Sequence, residues 1–455
     1  MANIQQRLFT WEEIDSSSDL DRLRMVLAAV VDEDLVLALE SRRGKGRDDY
    51  PVRATWNSIL AGVIYQHPSV ASLRRELLRN GELRHVCGFD PRPGGNAVPS
   101  ANAYTNFLNK LLDHEELIES MFFALVERLQ EFLGDLGTHT AIDSKAIQSV
   151  AKRTGNERRK DGDVDRRGDH DADWGKKTKR GKRDDGSAWE KVTAWFGFKL
   201  HLIVDSVHEL PLAYEVTRAS AADTTHLLPM VADLAEKHPA LVERTETMSG
   251  DRGYDSKDNN EGLYEEYGIK PIIDSRVFGK DGDKTRLLDS SCADNVAYDE
   301  KGRVFCYCPF TEERREMAYW GFEKTRSCLK YRCPASAFGF PCKGREECPG
   351  SHTPYGRTVR IPLDVDRRIF TPLARSTPAW EKAYKRRTSV ERVNSRLDNV
   401  LGFERHFIRG LGKMKVRVGL ALVVMLAMAV GWLELGRRER IRSLTTPIRS
   451  LPRAA

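Results

Sequence analysis

From Val418 to Leu433 the chain runs without a single polar side chain, relieved only by Gly419 and Gly431. A helix this apolar on all sides needs protein on all sides, and the run falls short of the ~20 residues that span a bilayer. It is therefore read as a buried helix, and whatever folds here must be large enough to enclose it. With 455 residues the chain can do so, and two or three domains are expected. The apolar fraction of 40% is ordinary for a globular protein, while the charged fraction of 31% is high. Met1 to Asp15 lacks the basic start and apolar core of a signal peptide, so a cytoplasmic protein without membrane contact is expected.

The net charge of +6 is modest, but the basic residues cluster in Lys152 to Lys191, Lys385 to Arg417 and Arg437 to Arg453, the last with Glu439 as its one acid. Any one stripe reads as a solvated face. Three of them read as a footprint for a polyanion. Seven of the eight cysteines fall between Cys292 and Cys348. With no export signal, such a cluster suggests metal binding or plain thiols rather than disulfides.

Leu20 to about Phe132 has helical periodicity throughout, with Ser69 at a turn and Pro99-Ser100 offering an N-cap. Pro51 to Arg79 fits a helix-turn-helix or a plain bundle. The texture changes at Gly137. Thr138 to Ile142 is a short β-branched run that ends in Asp143, and the charged stretch Thr154 to Ser187 reads as a surface insertion. Two strands follow, Trp195 to Val204 and Leu210 to Thr217, then a helix in Asp223 to Glu236. A short strand from Glu246 to Ser249 leads into Gly250-Asp251-Arg252-Gly253-Tyr254, followed by a helix and a strand at Ile269 to Ile273. This alternation is that of an α/β domain. Ser290 to Gly356 breaks the rhythm, and helical patterning resumes at Pro378.

Asp143 and Asp251 follow strands, and Glu391 lies in a basic helical segment. Carboxylates so placed can converge from distant parts of a chain. Two Mg²⁺ or Mn²⁺ ions about 3.5–4 Å apart need such hard oxygen ligands. Alone, an Asp at a strand end is more often a turn or cap residue. Tyr384, Arg387 and Glu391 stand at i, i+3 and i+7, one helical face; Arg387 suits a phosphate held bidentately, though an exposed Arg387–Glu391 ion pair fits the same spacing.

Taken together, Ala141-Ile-Asp143-Ser-Lys145, Gly197 to Asp205, Ala222-Asp223, Gly250-Asp251-Arg-Gly-Tyr-Asp255-Ser256 and Tyr384/Arg387/Glu391 resemble the bacterial insertion-sequence transposases with an Asp-Asp-Glu triad on a ribonuclease-H-like fold. The last piece matches their Tyr-x2-Arg-x3-Glu-x6-Lys signature except that Asp398 fills the Lys position; Arg396 is the nearest substitute. The resemblance implies a catalytic triad of Asp143, Asp251 and Glu391 holding two metal ions, with Tyr384, Arg387 and Arg396 on double-stranded DNA. It implies binding of terminal repeats, hydrolysis at each transposon end, strand transfer, a homodimer on DNA and a place at the nucleoid. Asp205, Asp223 and Asp255 are the rival metal ligands.

The expected architecture is α/β: a helical DNA-binding domain over 1–135, a ribonuclease-H-like core in two parts, 136–289 and 357–436, a cysteine-rich insertion over 290–356 and a basic tail over 437–455. The insertion resembles that of a cysteine-rich subgroup, and Cys308, Cys333, Cys342 and Cys348 are the candidate set for a tetrahedral zinc, against reduced thiols with packing roles. Two other functions stay open: a related nuclease that cuts without joining, and an inactive DNA-binding relative. A covalent tyrosine mechanism at Tyr384 would need Arg and His around it, and the acids there argue for metal chemistry.

Overall fold

The computed structural model describes residues 18–42, 50–90, 92–151, 168–183, 185, 187–275, 285–288, 295–308, 313–339, 341–348 and 353–446. Residues 1–15, 447–453 of the basic tail, 154–167 of the charged stretch and Cys292 lie outside them.

Seven helices come first: α1 (Ser18–Ala29), α2 (Glu33–Ser41), α3 (Val52–Ile64), α4 (Val70–Arg79), α5 (Gly81–Cys87), α6 (Ala101–Leu111) and α7 (Glu115–Phe132). Side-chain oxygens stop α4 and α6 from fraying: Ser69 accepts from Ser72 N at 3.2 Å and Ser100 from Ala103 N at 3.2 Å.

The main sheet comprises β1 (His139–Gln148), β2 (Asp173–Lys182), β3 (Ala188–Asp205), β4 (Leu210–Arg218), β5 (Thr247–Gly250) and β6 (Lys270–Ile273). β1, β3 and β4 form an antiparallel set with β3 in the middle, and β5 and β6 run parallel to β1 on its other side. Parallel pairing needs crossovers, supplied by α8 (Leu227–Lys237) with α9 (Pro239–Glu243), and by α10 (Lys257–Glu265). The order β4-β3-β1-β5-β6 is that of a ribonuclease-H-like core. β1 is longer than its apolar start suggests: pairing with β3 carries it through Gln148 opposite Gly197. Asp143 is thus inside the strand, not at its end. The charged stretch holds a second departure, because Asp173–Lys182 is strand β2, paired along its whole length with β3.

The described residues between 285 and 374 pack around a separate small core that includes Val296, Tyr331, Ile361 and Phe370. It is built from β7 (Thr285–Leu287), β8 (Val296–Asp299), β9 (Val304–Tyr307) and β10 (Arg314–Glu316) in one sheet, and from β11 (Ala318–Glu323), β12 (Cys328–Arg332) and β13 (Thr358–Pro362) in another, with α11 (Pro334–Phe338) between β12 and β13. The cysteine-bearing stretch thus shares its core with flanking residues on both sides.

The chain ends its described course in α12 (Pro378–Lys385), α13 (Thr388–Val400) and α14 (Leu411–Glu434). Every residue from Val418 to Leu433 is buried. By length and composition α14 is apolar enough to cross a membrane, yet 89% of its apolar window is enclosed by the molecule. It packs on α1, α3 and α7 on one side and β4 on the other. Gly419 permits this double approach: a Cβ there would stand 2.7 Å from Ile118 Cγ2 of α7 and 2.8 Å from Tyr214 Oη of β4. One hydrophobic core therefore runs from the helical leader through α14 into the sheet.

Candidate active site

The register of the parallel strands sets the site. Ile142 of β1 lies opposite Gly250 of β5, so the next residues along, Asp143 and Asp251, stand side by side. Asp143 is 8% exposed. Its carboxylate accepts from Ser144 N at 2.8 Å and from Arg387 Nη1 at 3.0 Å. Asp251 caps a short turn, accepting from Gly253 N at 2.7 Å. Burial first, and then the charge of Asp251, push the Asp143 carboxyl up to about 6, against the opposing pull of Ser144 N–H, Arg387 and Lys177.

Arg387 joins the third acid to the pair. Its second guanidinium nitrogen donates to Glu391 Oε1 at 2.9 Å, so one side chain bridges β1 and α13. The single helix expected across Tyr384 to Glu391 is divided: Tyr384 lies in the last turn of α12 and Glu391 in the first turn of α13. Arg386 and Arg387 keep right-handed helical backbone but bond three residues back, to Ala383 and Tyr384. This tighter 3₁₀-type winding still leaves the Arg387 guanidinium 6.0 Å from the Tyr384 ring centre. Tyr384 is half-buried and stacks on Trp380 at 5.1 Å; burial, with Asp274 next, raises its hydroxyl.

Of the rival acids, only Asp223 joins this group. Its Oδ2 and Asp251 Oδ1 lie 2.9 and 2.7 Å from the point where a Gly253 Cβ would stand, so glycine keeps open a cradle between two carboxylates. Lys199 Nζ holds the other Asp223 oxygen at 2.9 Å. Asp205 instead caps the β3–β4 turn, accepting from Gly137 N at 2.8 Å and Val207 N at 3.0 Å. Asp255 is clamped by Arg368 at 2.6 and 3.0 Å.

The structure does not bring Arg396 to the acids. Its guanidinium donates to the Glu209 carbonyl and, at 3.3 Å, to that of Arg442. Burial draws its pKa down to about 10, and it holds the β3–β4 turn rather than facing solvent. The cation that meets Asp398, the acid at the signature's lysine position, was not singled out from sequence. Lys145, two residues beyond Asp143 on the same face of β1, donates to Asp398 Oδ2 at 2.6 Å and Glu404 Oε1 at 2.9 Å. A signal for it existed: an acid in place of a lysine invites a cation from elsewhere, and Lys145 lies within the Asp143 motif.

Cys306, Cys308, Cys333, Cys342 and Cys348 line one cavity of about 40 Å³ in the small unit. Cys306, absent from the candidate set of four, belongs with them; burial, and then Cys333, raise its thiol to about 11. Among the described residues no three His, Cys, Asp or Glu side chains stand close enough to hold a metal ion as they are.

A ribonuclease-H-like sheet that gathers acids from two adjacent parallel strands and a flanking helix defines the class. The family model described as the transposase DDE domain matches residues 136–427, and the chain belongs to that family. Among solved structures, the piggyBac transposase synaptic complex with hairpin DNA is similar at 11% identity and a TM-score of 0.38, covering 96% of this chain and 80% of that one. No curated protein sequence matches.

Proposed function

We propose that the protein is the DNA transposase of an insertion sequence, cutting phosphodiesters at terminal inverted repeats and joining the freed ends to target DNA at the acidic site. The observation that carries this is that Asp143 stands beside Asp251 and shares Arg387 with Glu391. Two neighbouring carboxylates, one buried enough to rise to about 6, make a donor set suited to hard divalent cations. Mg²⁺ or Mn²⁺ held by the three acids would supply activation of the attacking oxygen and stabilisation of the leaving one. Arg387 keeps Asp143 and Glu391 aligned and offers its guanidinium to a phosphate. Tyr384, braced by Trp380, packs beside the sugar-phosphate chain. Lys145 provides the cation that the helix lacks at Asp398. Pairing two ends calls for a homodimer on DNA.

The test is cleavage and joining of the flanking DNA of the encoding element in Mg²⁺. Product that is cut and never joined would favour the nuclease reading. At subsaturating metal the rate should rise about tenfold per pH unit below about 6 and level off above, because Asp143 binds a cation only when deprotonated. A rate flat from pH 5 to 7 would remove Asp143 from that role. Arg387→Ala should weaken end binding and lower the slope of log affinity against log salt by about one phosphate contact; an unchanged slope in anisotropy titrations would count against it.

For the cysteine cavity the reading is a structural zinc drawn to four of the five thiols, Cys306 included. Purified protein should then carry about one equivalent of zinc. Less than about a tenth, by elemental analysis, would leave the cysteines as packing thiols.

A further inference from the structure

β2 and the outer half of β3 form a feature for which the acidic site gives no reason. Asp173 to Lys182 pairs with Gly197 to Ala188 in ten successive antiparallel rungs. β1 leaves β3 at Gly197 and β4 leaves it at Phe198, so beyond that point the two strands have no third pairing neighbour among the described residues. At about 3.4 Å per residue the ribbon is roughly 30 Å long.

A lone two-stranded ribbon is marginal in water, and this one is held by cross-strand packing. The Trp195 indole lies across Gly175 and the Trp189 indole across Gly181, so closely that a Cβ at either glycine would come within 2.3 and 2.6 Å. Trp174 and Phe196 pack at 5.8 Å on the other face. The glycines are thus built for the arm, and the structure it protects is a display of cations. Residues 173–197 hold seven basic against four acidic residues, an imbalance that suits a polyanion. Lys176, Lys177 and Lys191 are exposed. By the register, Lys177 and Lys191 share the face that the two tryptophans bracket, whereas Lys176 and Glu190 are on the opposite one. β3 runs on from this ribbon into its pairing with β1, where Leu202 lies opposite Asp143, so the arm is continuous with the strand beside the acidic site. A two-stranded ribbon fits the major groove of duplex DNA, and lysines at its edges meet the flanking phosphates.

We propose that this ribbon is a duplex-DNA arm, lying in a groove of the DNA presented to the acidic site, with Lys176, Lys177 and Lys191 on its phosphates. The inference rests on the transposase reading. It is tested on the full chain with the triple variants Lys176→Glu/Lys177→Glu/Lys191→Glu and Lys176→Gln/Lys177→Gln/Lys191→Gln. All three positions are exposed, and circular dichroism checks the fold. The probe is a short duplex bearing one end of the encoding element, followed by anisotropy across a salt series. The Gln variant should bind at least about tenfold more weakly near 0.1 M salt, with the log–log salt slope lower by two to three, and the Glu variant more weakly still. Wild-type cleavage that depends on Asp143, alongside unchanged affinity and slope in both triple variants, would overturn the arm and leave the transposase reading intact. A wild type that neither binds nor cuts the duplex would take down both. Altered sedimentation in the variants with DNA affinity retained would make the ribbon a contact between subunits, and the proposal would fail.

Discussion

Replacing Asp143, Asp251 or Glu391 by alanine should each cost about 10²–10³-fold in the rate of DNA cleavage in Mg²⁺, the scale on which loss of one electrostatic stabiliser acts, while end binding persists. The three acids do not contribute equally to the fold, which makes the comparison informative. The Glu391 side chain is 56% exposed and pairs with Arg387, so Glu391→Ala leaves the core untouched and a lost rate must be chemical. Asp143 is buried against a guanidinium; Asp143→Asn is the better variant there, since it keeps an acceptor for Ser144 N and Arg387. Removing a negative charge from a surface that receives phosphates should leave affinity equal or slightly higher. A Glu391→Ala protein that cut labelled end duplex at the wild-type rate would dismantle the triad.

The second large effect concerns α14. Gly419→Leu should destabilise the protein by about 3 kcal/mol, the upper range for overpacking a filled core, because its Cβ alone would meet Ile118 and Tyr214 inside 3 Å. Gly431 is a second close approach: a Cβ there would stand 2.1 Å from Met25 Cγ and 2.6 Å from its sulfur, so a larger side chain there should destabilise as well. Gly412→Ala is the control. Nothing lies within 4 Å of a Cβ there, so the exchange should be neutral or stabilise by up to ~1 kcal/mol through helix propensity. Urea midpoints measure all three. Since leader and sheet share one core, Gly419→Leu should shift a single transition. Two separated transitions, with only one displaced, would contradict the shared core.

How much of this was legible depended on whether burial had left a period in the sequence. α14 was plain because uninterrupted apolar residues have few other destinations. The hairpin of β3 and β4 was readable from β-branched and aromatic runs, and the short strand before Asp251 only from its place ahead of Gly250-Asp251. β2 was not: both of its faces meet water, so no apolar alternation marks it, and its charge resembles that of a loop. The length of β1 was hidden because its second half owes its conformation to pairing with β3 rather than to its own residues. At the site, Asp143, Asp251 and Glu391 could be named from local motifs, but the neighbourhood of Arg396 and Lys145 could not. Which partners Arg396 and Lys145 meet is decided by the rotation of α13 against β1, a tertiary quantity. The place of Cys306 in the cavity likewise depends on how β9 meets the loop after α11.

The position of α14 in the chain has a further consequence for synthesis. Helices α1 and α7 and strand β4 all leave the ribosome well before residues 411–434, yet each turns an apolar face to that helix. Until the helix arrives, the nascent chain carries an open furrow of hydrocarbon, a surface for chaperones to cover. Strand β1, holding Asp143, must wait in this half-finished state for Arg387 and Glu391 to be translated. The enzyme is therefore assembled late and all at once, and a message broken before residue 411 yields an incomplete core that proteases can clear instead of a partly active protein.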